Sequence, residues 1–319
     1  MSLSGKSCWV VTEGIAGTEN QCIGLAEALG VEHVVKRVKL RFPWKQLSPW
    51  LQLGIRGGTA PDSDPLLPPF PDILISSGRK AIASALDICR QSPKTYHIHL
   101  QDPRIDPKKF DLLVVPQHDP ARGDNVIVTK AALHRVTPER IAVEAAKFKA
   151  QFAHLPHPRI AVMIGGTSKA HRMTTDNARA LAVQLLQLAD HGKTGLMITA
   201  SRRTGQENAD FLRAQLKADN IYFWDNTGDN PYFAFLGLAD YIVVTEDSVS
   251  MTSEALATGK PVYIASLEGG ARRLDLFHKL LEEQGYTRPF TGMLEQWSYT
   301  PPHDIIDVAA QIKARYKGK

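Results

Sequence analysis

The sequence predicts an α/β protein built of two Rossmann-like, doubly wound domains facing a cleft. Short apolar runs alternate with helical patterns from one end to the other, as they do where a parallel sheet is wrapped by helices. The 319 residues are enough for two domains of about 150 each. The stretch His154-Leu155-Pro156-His157-Pro158 stops both helix and strand and divides the alternation into two halves of similar plan.

In the first half, strands are expected at 7–12, 33–38, 72–76, 95–100, 111–115 and 125–129. A helix between the first two is opened by the capping-box pattern Thr18-Glu19-Asn20-Gln21 and closed by Gly30. Another follows the third strand over 79–90, and the Pro- and Gly-rich residues 44–70 read as a long surface excursion. Thr137-Pro138-Glu139-Arg140 supplies an N-cap with proline at the first helical position, opening a helix that runs to about 152 and ends a first domain of residues 1–153. The second domain, 154–300, places strands at 159–164, 195–199, 221–224, 241–245 and 262–265. Its helices are 175–189 and one opened by Thr204-Gly205-Gln206-Glu207, and residues 304–316 form a last helix in a segment, 301–319, that can pack back on the first domain.

With 43% hydrophobic and 22% charged residues the chain is neither disordered nor dominated by membrane spans. No apolar run approaches the roughly 20 residues of a bilayer crossing, and residues 1–8 lack a basic-then-apolar leader, so a cytoplasmic location is expected. Cys8, Cys22 and Cys89 are odd in number and widely spaced, and read as buried thiols rather than a disulfide framework or zinc site. The net charge of +5 suits an anionic ligand or an anionic membrane surface, the latter placing the chain peripherally at the inner face of a membrane; no nucleic-acid motif accompanies it.

Ligands of open α/β sheets bind beyond the carboxyl ends of the strands, and there this sequence is small and polar. After the first strand come Glu13, Gly14, Gly17, Thr18, Glu19 and Asn20, with glycines where a helix N-terminus offers unpaired N–H groups. The spacing fits neither GxGxxG nor GxxxxGK[ST], which disfavours dinucleotide and P-loop chemistry. Ser77-Gly78-Arg79 forms a second small turn carrying a cation, and Gln101-Asp102-Pro103-Arg104 sets a carboxylate and a guanidinium at the same edge. In the second half, Gly165-Gly166-Thr167 lets backbone amides close on a phosphate, and Ser201-Arg202-Arg203 pairs arginines for a diphosphate. Asn230 and Pro231 start a short helix, and Thr245-Glu246-Asp247-Ser248, with Ser250, leads into another. Glu254, one turn into that helix, is placed to accept both hydroxyls of a ribose, although a Ser-capped helix with a solvated glutamate has the same sequence.

The run from Asn230 to Pro261, with Ala239-Asp240, an apolar strand, Ser-x-Ser, Glu254-Ala255 and Gly259-x-Pro261, resembles the nucleotide-sugar site of GT-B glycosyltransferases, such as those adding N-acetylglucosamine to lipid-linked peptidoglycan precursor. Thr12-Glu13-Gly14 with Gly17, Gln101-Asp102-Pro103, Ile164-Gly165-Gly166, Ser201-Arg202-Arg203-Thr204 and Thr245-Glu246-Asp247-Ser248 further resemble the bacterial branch of the mitochondrial-fission "elongated mitochondria" family. The GT-B resemblance implies a donor-binding second domain, an acceptor-binding first domain, a nucleoside-diphosphate sugar as donor, a lipid-linked or envelope glycan as acceptor, and neither metal nor cofactor. The leaving diphosphate would rest on the helix start at Ser248–Ser250 and on Arg202 or Arg203. The base that an inverting transfer requires would be Glu13, Glu19 or Asp102, in that order.

The sequence departs from the peptidoglycan enzyme where that enzyme's first glycine-rich loop ends in histidine; Asn20 stands there and cannot act as a base. Two further readings therefore stay open: a sugar-nucleotide 2-epimerase, and a non-catalytic peripheral-membrane adaptor related to the fission proteins. His97 and His99 share one face of a strand without the further ligands a metal site needs. Trp224, Phe233 and Phe235 read as packing residues, and Tyr232 as a possible cover for a nucleobase.

Overall fold

The computed structural model describes residues 3–189 and 192–316. They form two compact units, residues 3–135 with 303–316, and residues 136–189 with 192–302.

The first unit opens with β1 (Cys8–Thr12), α1 (Ala16–Leu29) and β2 (His33–Arg37). Then come the short helices α2 (Trp44–Leu47) and α3 (Ile55–Gly58), followed by β3 (Ile73–Ser77), α4 (Ala81–Gln91), β4 (Tyr96–Leu100), β5 (Leu112–Pro116) and β6 (Val126–Thr129). The strands form one parallel sheet in the order β2-β1-β3-β4-β5-β6. β3 and β5 are buried throughout, and β5 and the first three residues of β3 read as continuous apolar runs for that reason. The helix expected from Thr18 begins two residues earlier: Thr18 Oγ1 donates to the Ile15 carbonyl, and the Ile15 N-cap position has no side-chain cap. Gly30 closes α1 in the left-handed conformation, as its position predicts.

The second unit begins at α5 (Pro138–Phe148), whose Thr137 N-cap accepts from the Arg140 N–H. It continues through β7 (Arg159–Ile164), β8 (His171–Arg172), α6 (Thr175–Ala189), β9 (Gly195–Ala200), α7 (Gln206–Gln215) and β10 (Ile221–Phe223). The remaining elements are α8 (Tyr232–Leu238), β11 (Tyr241–Thr245), α9 (Val249–Leu256), β12 (Val262–Ala265), β13 (Glu268–Gly269), α10 (Arg272–Glu283) and β14 (Thr287–Pro289). Its parallel sheet runs β10-β9-β7-β11-β12-β14. The proline-rich stretch read as a domain break lies inside this unit, where the Leu155 carbonyl accepts from the Arg159 guanidinium. α5 belongs here because Gly237 of α8 has no side chain: a Cβ there would sit 2.8 Å from Ile141 and Ala145.

The chain then rejoins the first unit as α11 (Asp304–Arg315). Val308, Ala309 and Ile312 enter the core formed by Leu25, Leu29 and the strands, and the Asp304 carboxylate accepts from the Lys130 and Ala131 N–H groups. α10 and β14, absent from the sequence reading, are an exposed amphipathic helix burying only Phe277 and Leu281 and a three-residue edge strand. Cys8 and Cys22 are buried and Cys89 is half-buried.

Candidate functional site

Each sheet reverses its strand order at one place: between β1 and β3 in the first unit, and between β7 and β11 in the second. Such switch points open a crevice at the carboxyl edge of an open sheet, because the connections leave in opposite directions. The predicted site residues fall at these edges, and the structure shows what each already touches.

In the second unit the ends of β9, β7 and β11 interlock. The Gly165 N–H donates to Thr245 Oγ1 at 2.7 Å, and that hydroxyl donates to Asp247 Oδ1 at 2.7 Å. Arg203 Nη2 lies 2.7 Å from Asp247 Oδ2, pairing a half-exposed guanidinium with a carboxylate that is fully buried. A Cβ on Gly165 would overlap the Asp247 carboxyl, and one on Gly166 (φ +150°) would overlap the Arg203 carbonyl. The double glycine is thus needed for close approach of neighbouring loops. The Gly165 amide expected to meet a phosphate is consumed by Thr245, and Thr167 N–H likewise donates to the Arg203 carbonyl at 2.7 Å. Ser201 caps a single 3-10 turn at Arg202–Thr204, so α7 starts at Gln206 and not at Thr204; Arg202 is exposed.

Ser248 caps α9 by accepting from the Met251 N–H at 3.3 Å, and Ser250 lies in the first turn. Glu246 turns away from this helix start: its Oε1 accepts from the Leu267 N–H and lies 3.6 Å from His171 Nε2. Its backbone carbonyl is 2.7 Å from His278 Nε2. Burial holds the His278 ring below its ordinary pKa.

Glu254 is not the solvated glutamate that the sequence left open. It is 8% exposed, accepts a 2.5 Å hydrogen bond from the Tyr232 hydroxyl, and burial pushes its pKa up to about 7 despite that bond and the Arg140 charge. Tyr232, considered as a cover for a base, is committed to this carboxyl, and its own pKa is raised well above the usual value by burial. Asn230 stands just outside α8, its Oδ1 accepting from the Tyr232 N–H at 3.0 Å. Phe233 carries the Arg140 guanidinium 4.2 Å above its ring, and Phe235 is core.

In the first unit the switch point is spanned by Glu13, whose two oxygens accept from the Lys80 N–H (2.9 Å) and Nζ (2.8 Å). Gly78, at φ +91°, keeps open the space where a Cβ would sit 3.0 Å from Glu13 Oε1. Glu19 is gripped bidentately by Arg37 at 2.8 and 2.9 Å and accepts from Thr12 Oγ1, and the Arg37 guanidinium holds its pKa below the carboxylate norm. Gly14 directs its N–H at Thr12 Oγ1, whereas Gly17 and Asn20 lie within α1 and not in a loop. Asp102 Oδ1 accepts from the Arg104 N–H at 3.0 Å.

Arg79, expected as a ligand cation, instead spends its guanidinium on the carbonyls of Lys45, Gln46 and Ser48, and Ser77 Oγ leans to the Leu100 carbonyl. His97 and His99 face the same way, each 2.7 Å from Ser76 Oγ, and burial pulls the His99 pKa down to about 3. Sequence reading missed Lys80, Arg37, His171 and His278. No motif marks them; only the sheet order brings them beside Glu13, Glu19 and Glu246.

Comparison with known proteins agrees with this architecture. The family model described as "Mitochondrial fission ELM1" matches residues 16–316. "Mitochondrial fission protein ELM1" of Arabidopsis thaliana is 29% identical, over 95% of this chain and 90% of its own length. "Uncharacterized protein RP120" of Rickettsia prowazekii is 26% identical over 97% and 98%. Among solved structures, UDP-GlcNAc 2-epimerase from Neisseria meningitidis bound to UDP-GlcNAc superposes with a TM-score of 0.56 at 14% identity, covering 97% of this chain and 98% of that one. The fold is GT-B-like, with a Rossmann-type sheet in each unit.

Proposed function

The chain belongs to the mitochondrial fission ELM1 family, and on that premise we propose that it binds a nucleoside-diphosphate sugar on its second unit and transfers the sugar, with inversion, to an envelope or lipid-linked acceptor. The observation that carries this reading is the switch point between β7 and β11, where a glycine edge, Arg203 and the capped start of α9 meet. The diphosphate lies on the α9 N-terminus and Arg202, with Arg203 held in place by Asp247. Those charges stabilise the leaving group without a divalent cation. Glu254, buried on α9, takes the ribose hydroxyls once ionised.

For the proton of the acceptor hydroxyl we assign Glu13. Glu13 has Lys80 alone on its carboxylate, whereas Glu19 is more committed, gripped bidentately by Arg37 and bonded to Thr12 Oγ1. A second reading, 2-epimerisation, is favoured by the shared fold of the Neisseria meningitidis enzyme solved with UDP-GlcNAc. Incubation with labelled UDP-GlcNAc separates the two: an epimerase converts the donor with no acceptor present, whereas a transferase leaves its configuration intact. Glu13→Gln is expected to abolish turnover and spare donor affinity; retained turnover would move the base to Asp102.

A further inference from the structure

Residues 33–60 carry six lysines and arginines and not one aspartate or glutamate. Within them stand four exposed large apolar side chains in twelve residues: Phe42 (79% exposed), Leu47, Trp50 and Leu53 (86%). Single exposed hydrophobics are ordinary on soluble proteins, but a cluster of this kind marks an interaction surface.

The segment bearing them is firmly built. Trp44 packs against Leu40, Ile55 and Ala83, and its Nε1 donates to the Leu53 carbonyl at 2.8 Å. A Cβ on Gly58 would overlap the Trp44 ring. Ser48 Oγ donates to the Arg79 carbonyl, while the Arg79 guanidinium returns to the carbonyls of Lys45, Gln46 and Ser48. With the inner side chains fixed in this way, the outer ones are held in water by the backbone and cannot fold inward.

Of the six, Arg37, Lys39 and Arg56 are paired with Glu19, Asp62 and Asp87, and Lys36 lies over the Trp9 ring, which leaves Arg41 and Lys45 as the cations flanking Phe42 and Trp44. Aromatic and aliphatic tips among lysine and arginine stems match a headgroup boundary, where hydrocarbon and phosphate lie within one side chain's reach. With no acidic side chain between residues 33 and 60 to repel lipid phosphate, the charge of the segment complements an anionic bilayer.

We propose that residues 41–53 dock on an anionic lipid bilayer, with Phe42, Leu47, Trp50 and Leu53 entering the headgroup boundary and Arg41 and Lys45 meeting lipid phosphates. This goes beyond the nucleotide-sugar reading and stands or falls separately from it. The test is flotation of the full chain with phosphatidylglycerol–phosphatidylcholine vesicles and with phosphatidylcholine alone. The chain should float with the anionic vesicles, less so at high salt, and Phe42→Ser/Trp50→Ser/Leu53→Ser should lower the bound fraction by roughly tenfold with melting temperature and nucleotide affinity unchanged. Leu53→Glu alone should move binding in the same direction, and Arg41→Gln/Lys45→Gln should weaken binding to the anionic vesicles only. Failure of the wild type to float, or a triple variant that floats equally well, would overturn the proposal. So would a concentration-dependent dimer that the triple substitution abolishes in the absence of flotation.

Discussion

Glu254 gives the second unit a pH dependence near neutrality. Its folded pKa of about 7 lies above the 4.5 of an ordinary glutamate, so between those values the folded chain holds a proton that the unfolded chain has lost. Stability therefore falls as pH rises from about 4.5 through 7, by up to about 3 kcal/mol, and levels off above. Glu254→Gln should flatten that slope in a series of thermal melts while keeping a partner for the Tyr232 hydroxyl. If the ionised carboxyl holds a ribose, nucleotide affinity should rise from pH 6 to pH 8, and binding near pH 7 should release protons, visible as a calorimetric enthalpy that depends on the buffer. The two arginines should also separate. Arg203→Ala leaves the Asp247 carboxylate buried beside no cation and should cost about 1–3 kcal/mol of stability as well as affinity. Arg202→Ala, at an exposed position, should cost affinity alone.

Among the elements, the loop after β7 is the most constrained. Gly165→Ala places a methyl group into the Asp247 carboxyl, and a loss of about 1–3 kcal/mol is expected in chemical denaturation; a substitution costing under about 0.5 kcal/mol would show that the loop yields. The strands and their order of appearance were legible in the sequence, because buried parallel strands such as Leu112–Pro116 leave apolar runs. Helix ends were less so. The Thr18-to-Gln21 pattern looks like a cap, yet α1 starts at Ala16, since Glu19 is drawn to Arg37 and Thr12. The glycines read as places where a ligand meets the backbone, and the sequence could not say that the groups beside Gly165 and Gly78 are the chain's own Asp247 and Glu13. Arg79 shows the same limit, since its partners are carbonyls 31 to 34 residues away. Residue types at strand ends are thus visible in a sequence, whereas the partners that sheet order supplies to them are not.

The whole molecule comprises a continuous second unit and a first unit that is complete only with the chain's last helix. Truncation after Pro302 would uncover the core surface that Val308, Ala309 and Ile312 cover and free the Lys130 and Ala131 N–H groups from Asp304. Limited proteolysis of that truncation should cut first within residues 1–135 and leave 136–302 resistant; equal resistance of both units would contradict the assignment of α11. Membership of the ELM1 family fixes the fold, and the chemistry rests on whether the β7/β11 edge holds a nucleotide. Isothermal titration of UDP-GlcNAc and UDP into the wild type and into Glu254→Ala tests that most directly. Saturable binding is expected, weakened in Glu254→Ala by about 1–3 kcal/mol. Binding of equal strength in both proteins would contradict it, as would no binding of either nucleotide to the wild type.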